Sequence, residues 1–468
     1  MRLHWHRRDL RLADNRGLAD GPDRPIGLFV FDEAVLDHAG APRVAFMLEA
    51  IGKLRSAYRQ RGSELFVRRG DPATAVPELA EALDAEYVSW NRDYSGLARE
   101  RDERVDAALE ETDAIPQKFH DAICHEPGSI TTNAGEPYSV YTYFGRKWRD
   151  REKDDPRPVP DLAAAGEVAP ESGSIPTLSD LGFDDPGADV LAAGTAVART
   201  LLDSFLEDDV YRYEEARDYP SEACTSRLSA HLKFGTIGIR EVDKRVRETL
   251  ESAAGERRES VEEFRSQLAW REFYTHVLYF NPGVVAANYK SYENPIEWED
   301  DTELLEAWKR GETGYPIVDA GMRQLREEAF MHNRVRMIVA SFLTKDLLID
   351  WRYGYDHFRE LLVDHDTAND NGGWQWAAST GTDSQPYFRI FNPMTQGERY
   401  DPDAEYITEY VPELRGVDPG VIHGWHELTP TQRVNAAPEY PEPIVEHSER
   451  RERALAMFEK ARGESEAE

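Results

Sequence analysis

The chain has 468 residues, only two cysteines (Cys124 and Cys224) and a formal net charge of −33. That length exceeds one core of ordinary size and predicts two domains, while two cysteines exclude a disulfide framework and a thiolate metal cluster and are read as small buried hydrophobes. No apolar run is long enough to span a bilayer and the amino terminus lacks a secretory pattern, so the expectation is a soluble cytoplasmic protein, monomeric and without membrane contact.

In chain order, apolar runs at residues 26–31, 65–67 and 87–90 read as strands. They alternate with helical patterns at 43–61, 73–83 and 98–109, which predicts a parallel α/β sheet. No GxGxxG or GKS/GKT loop follows a strand, so neither a dinucleotide nor a triphosphate site is read there. Proline, glycine and acids dominate from about 152 to 194 and predict a long linker wrapped over the surface. Beyond residue 195 the patterns are helical, at 261–279, 316–329 and 333–348. The expected domains are an α/β domain over 1–130, an interdomain linker over 131–195 and an all-α domain over 196–468.

Residues 364–393, DHDTANDNGGWQWAASTGTDSQPYFRIFNP, combine acids, amides, paired glycines and spaced tryptophans. Gly372 and Gly373 let backbone approach a flat ring, and Trp374 and Trp376 offer aromatic surface for stacking. These are parts for an aromatic, nitrogen-rich cofactor; a core loop with two buried tryptophans is the plain alternative. Helical spacing puts Gln267, Trp270 and Arg271 on one face, and Asn333 and Met337 on another.

The same segment is similar, nearly residue for residue, to the flavin-binding segment of the photolyase and cryptochrome family. WHRRDLRLADN at the start, TSRLS at 225–229, WREFY at 270–274, TGYPIVDAGMRQL at 313–325 and MHNRVRM at 331–337 also resemble class I photolyases. The resemblance covers nearly the whole chain and is weakest between about 134 and 197. It implies an antenna-binding α/β domain, an all-α domain holding FAD non-covalently, and light-driven electron transfer that splits cyclobutane pyrimidine dimers in DNA. Tyr213, Thr225, Ser226, Arg227, Leu228, Ser229, Arg336, Asp364, His365, Asp366 and Asp370 fall on FAD-contact positions. Arg217, Gln267, Trp270, Arg271, Asn333, Arg334, Met337, Trp376 and Gln396 fall on positions that touch DNA or the flipped dimer. Trp374, Trp351 and Trp298 match a three-tryptophan relay from flavin to surface.

Two residues depart from the pattern. Gln267 stands where bacterial class I enzymes have a glutamate, and a glutamine hydrogen-bonds without an acidic proton. Asp370 stands where photolyases usually have asparagine and plant cryptochromes aspartate, which keeps a blue-light receptor as the alternative. The (6-4) photolyases carry histidines at the places of Asn333 and Met337, which argues against that activity here. For the second chromophore, the folate-binding Asn-Glu pair is replaced by Leu97-Ala98, while Gly70-Asp71-Pro72 and residues 90–93 look more like members that bind 8-hydroxy-5-deazaflavin. The charge of −33 is unusual for a DNA binder. At molar salt the Debye length is about 3 Å, so an acid-rich surface suits a halophile and leaves short contacts with DNA intact.

Overall fold

The computed structural model describes residues 1–165 and 170–464; the last four residues of the charged tail lie outside the described residues. Five parallel strands, β1 (Arg2–His6), β2 (Pro25–Phe31), β3 (Leu65–Arg69), β4 (Tyr87–Asn91) and β5 (Ile115–Phe119), form one sheet in the order β3-β2-β1-β4-β5. β2 is buried at every position, and its unbroken apolar run is what a strand covered on both faces requires. β1 and β5 escaped the sequence reading for opposite reasons. β1 reads RLHWH, but its histidines are paired inside: His4 bonds Ser89 Oγ (3.0 Å) and Asp9 (2.9 Å), and His6 bonds the Tyr58 hydroxyl (2.8 Å). β5, IPQKF, is a partly exposed edge strand and tolerates Pro116 for that reason.

β1 connects to β2 on one side while β4 returns on its other side, so the carboxyl ends of β1 and β4 bound a crevice at the switch in strand order. Open α/β sheets bind ligands at such a place.

The stretch 131–195 is not uniformly linker. It contains the helix Tyr141–Asp150, whose Phe144 and Trp148 join the core built on the long Glu256–Phe280 helix. The remainder wraps the sheet domain, with Val159, Leu162, Ile175, Leu178, Phe183 and Val190 packed on its core. Backbone bonds such as Val67 N–H to Ser172 O (2.8 Å) fix its path.

The rest of the chain is helical. The pattern at 333–348 is one helix only as far as Ser341, after which Phe342–Asp346 forms a π-helical turn. Such turns interrupt a helix to aim a side chain. Here Lys345 is buried, donates to Ser379 Oγ (2.9 Å) and sits 3.6 Å from the Phe458 ring centroid. Burial holds its amine well below the ordinary lysine range. The two domains are riveted by a buried network in which Arg240 grips Asp14 (2.7 Å) and Asp121 (2.5 Å) while Arg11 takes the other oxygen of Asp121 (2.5 Å). No helix among the described residues is long and apolar enough to cross a membrane.

Candidate functional site

The helix Thr367–Ala377 packs against both Glu256–Phe280 and Asn333–Ser341 and so brings the motif segments together. It starts at Asp366, whose side chain accepts from the N–H groups of Ala368 and Asn369. The other oxygen of Asp366 pairs with Arg8, which also bonds Asp93 (3.0 Å), so a residue beyond β1 fixes the start of a helix more than 350 positions later. Burial opposes ionisation of Asp366, but Arg8, Lys233 and Arg271 outweigh it and hold the carboxyl well below its usual range.

Asp364 receives two hydrogen bonds from Arg336 (2.8 and 3.1 Å). Asp370 stands 3.7 Å from the same guanidinium and 2.6 Å from His365 Nδ1. Burial lowers His365, with Asp370 acting against it. These groups lie deep in the protein, yet Arg336 keeps 19% and Asp370 11% of its side-chain surface accessible. They line a hollow.

The segment after Cys224 meets this group at Phe330, over whose ring both Arg227 (3.7 Å) and Arg336 (5.5 Å) lie. Thr225, Ser226 and Ser229 carry hydroxyls with no hydrogen-bond partner among the described residues, in a turn where Arg227 has φ +52°. Free hydroxyls beside unpaired backbone suit the oxygens of a phosphate bridge. Arg227 itself bonds Glu328 (3.2 Å) and lies over Phe330 (3.7 Å), Leu228 is core, and burial pushes the Tyr213 hydroxyl up to about 12. Solvent-reachable hydroxyls, a paired arginine and three carboxylates fit a large dianionic, nitrogen-rich cofactor. One expectation is corrected: an added Cβ at Gly372 would run into the Tyr274 ring, so that glycine answers to protein packing, and Gly373 faces open space.

On the Glu256–Phe280 helix, Trp270 lies partly buried against Tyr141, and Gln267 bonds Glu263 (2.9 Å) and Ser266 (3.2 Å). Asn333 is exposed, while Met337 and Trp376 are half-buried. Arg334 is paired with Asp218 (2.5 Å) over the Tyr400 ring, and Arg217 with Glu263. Gln396 keeps a buried Oε1 without a partner. Arg271 departs from its expected role: it donates to the carbonyls of Ala122 (2.8 Å) and Leu232 (3.2 Å) and turns toward the interdomain crevice.

The tryptophans form a burial gradient. Trp374 and Trp351 are buried and Trp298 is only partly so, at the edge of the same core. Gly354 has no side chain because the Trp374 ring occupies that space. Trp308, which sequence reasoning passed over, stands 6.1 Å from Trp374.

At the crevice predicted by the strand order is a cavity of about 440 Å³, bounded by Arg7 and Arg8 after β1, Asp32 after β2, residues 93–98 after β4, and His365 to Ala368 from the helical domain. Arg43, Arg101, Lys233 and Arg271 face it. Burial pushes Arg43 and Arg101 down to about 10 and Lys233 to about 8, and two guanidinium nitrogens of Arg101 are buried without a hydrogen-bond partner among the described residues. Leu97 and Ala98 line it; Gly70-Asp71-Pro72 does not, since Asp71 caps the next helix and pairs with Arg104.

Residues 2–162 match the DNA photolyase family and residues 264–460 the FAD binding domain of DNA photolyase. Over 99% of its length the chain is 62% identical to the whole of a deoxyribodipyrimidine photo-lyase of Halobacterium salinarum. Its fold matches a bacterial class III photolyase from Agrobacterium tumefaciens with a TM-score of 0.91 and 35% identity, covering 99% of this chain and 98% of that one. It also matches an archaeal photolyase from Sulfolobus tokodaii that holds two FAD molecules and implicates a novel light-harvesting cofactor, with a TM-score of 0.85 and 32% identity over 98% of this chain and 99% of that one. By both its sequence and its fold, the chain belongs to the DNA photolyase family, with an FAD binding domain at its helical end.

Proposed function

We propose that the protein is a deoxyribodipyrimidine photo-lyase that uses light to split cyclobutane pyrimidine dimers in DNA, as the name of its 62% identical relative states for that protein. The observation that carries this reading is that the helix with Trp270 and Gln267 and the helix with Asn333, Met337 and the Asp364-paired Arg336 both pack against Thr367–Ala377. Reduced FAD, when bound, supplies the light-absorbing electron donor. Thr225, Ser226 and Ser229 would hold its phosphates, and Asp364, Asp366 and Asp370 with Arg336 and His365 its ring and ribose. The overall reaction opens a cyclobutane ring to two pyrimidines with no net oxidation, so the chain's own task is to hold a flipped dimer dry and close. Extraction of a base from the duplex costs a few kcal/mol and least at a damaged step. Trp270 and Trp376 would wall the dimer, and Asn333 would bond its edge. Arg217, Arg334 and Gln396 would meet the strand, with the acid-rich remainder of the surface screened in a salty cell. Class I, rather than another class, rests on those pocket residues.

The cavity between the domains would hold a second, light-harvesting chromophore. Its four cations favour an electron-rich or anionic ring, and apolar Leu97 and Ala98 offer folate no partners, so 8-hydroxy-5-deazaflavin fits better. Asp370 favours a second reading, a cryptochrome-like receptor. The (6-4) activity has no support, because His332, next to Asn333, is buried as a helix cap. An absorption spectrum of the purified protein, followed by illumination of the reduced form with dimer-containing oligonucleotide, tests the proposal. Release of thymine monomers is expected; none, from low to molar salt, overturns it.

A further inference from the structure

Gln267 is the one residue of the dimer pocket whose chemistry departs from the family pattern, and its neighbours define how it is used. It sits one helical turn after Glu263 and gives both amide hydrogens away, to Glu263 Oε1 (2.9 Å) and Ser266 Oγ (3.2 Å). The Ser266 hydroxyl in turn donates a hydrogen bond to Glu263 Oε2 (3.3 Å), and Arg217 pairs with Glu263. A carboxylate only accepts, so the amide nitrogen must face Glu263 and the carbonyl oxygen must point away from it. That oxygen has no partner among the described residues and is not buried. Trp270, three residues on, shares this face of the helix.

We infer that Glu263, braced by Arg217, is a positioning residue that locks Gln267 as an acceptor toward the substrate, and so selects dimers whose pyrimidine ring offers an N3–H. This rests on the repair reading above. Thymine and uracil rings carry that imide hydrogen. A cytosine ring presents a lone pair at N3, which would meet the lone pairs of Oε1. Turning the amide over would restore the match only by breaking both of its bonds and setting its oxygen against the Glu263 carboxylate. The locked amide therefore discriminates where a free glutamine would adapt.

The test measures dark binding and light-driven repair of two duplexes that differ only in carrying a uracil–uracil or a cytosine–cytosine dimer. Glu263 is 34% exposed, so its replacement strands little in the interior. In the wild type the uracil dimer is favoured by about tenfold, the usual cost of facing a polar group with the wrong partner. Glu263→Leu brings the ratio to within about twofold by improving the cytosine dimer, while Glu263→Gln, which keeps an acceptor oxygen, preserves most of it. A merely structural role would weaken both dimers together and leave the ratio unchanged. An unchanged ratio in Glu263→Leu, or no preference in a wild type that repairs both, overturns the positioning role and leaves repair standing. A reduced wild type that repairs neither dimer overturns the repair reading, and this inference with it.

Discussion

Trp270 lies face to face with Tyr141, ring centroids 3.7 Å apart and planes 11° from parallel. The Tyr141 hydroxyl is anchored to the Ser266 carbonyl (2.8 Å), so the pair is held rather than merely adjacent. One face of the indole is thus committed to protein, and a base stacking on Trp270 would have to take the other. Trp270→Ala is expected to cost roughly 1–3 kcal/mol of binding to dimer-containing DNA, whereas Tyr141→Phe, which keeps the stack, leaves binding close to wild type. Isotherms against damaged and undamaged duplex check this; equal affinity of Trp270→Ala and wild type for the damaged duplex would make Trp270 a core residue.

The burial gradient from Trp374 through Trp351 to Trp298 gives the second prediction. Only Trp298 has surface that an external reductant can meet, so Trp298→Phe slows light-driven reduction of oxidised FAD several-fold while repair by chemically reduced protein persists. Trp308 is fully buried and donates to the Val339 carbonyl (3.1 Å), so Trp308→Phe leaves the reduction rate near wild type. Equal loss of both activities in Trp298→Phe would mark that residue as structural.

The sheet strands with continuous apolar runs were legible in the sequence, because burial on both faces leaves a local signature. β1 was not, since Arg2, His4 and His6 look like surface until the Leu18 carbonyl takes Arg2 and Ser89, Asp9 and Tyr58 take the histidines. The helix Tyr141–Asp150 inside the supposed linker was hidden by its exposed arginines and lysine. In the site, residue identities could be matched to family positions, but partners could not. Nothing in 364–370 announces Arg8 on Asp366. Glu263 did leave a signal, a carboxylate four residues before Gln267 on the same helical face, which becomes informative only once the amide's orientation matters. Arg271 shared that face by spacing alone and points elsewhere, because the carbonyls it serves belong to the loop after β5 and to the helix Ser229–Phe234.

Glu272 gives a pH prediction with an unusual sign. It is wholly buried, accepts from the N–H groups of Cys124 (2.6 Å) and His125 (2.8 Å), and desolvation pushes it up to about 7. Between its unfolded value near 4.5 and 7 the folded state holds the extra proton, so its contribution is complete below that window and is lost as pH rises through it. Buried His276 and His125, each lowered to about 4 by desolvation, act oppositely over a similar range. The wild-type curve alone therefore does not isolate Glu272. The difference between wild type and Glu272→Gln does: wild type should lose up to about 3 kcal/mol relative to the variant between pH 4.5 and 7. Parallel curves from denaturant midpoints at fixed salt would refute the assignment.

Asp370 is where the enzyme and receptor readings divide. Its carboxylate accepts the Asp366 N–H (3.2 Å), contacts His365 Nδ1 (2.6 Å) and lies 3.7 Å from Arg336. Asparagine can replace the first contact but not the charge facing Arg336, and an amide cannot pass a proton on as a carboxylate can. Asp370→Asn should therefore keep its flavin and repair dimers when supplied in reduced form, because Asp364 still holds Arg336 in place. What should change is proton delivery during light-driven reduction. The wild type is expected to show a solvent deuterium isotope effect on that rate, and Asp370→Asn a diminished one. Transient absorption in light and heavy water decides it: equal isotope effects in the two proteins would reduce Asp370 to a structural acid linking Arg336 and His365, and the receptor-like reading would lose the one residue that favours it.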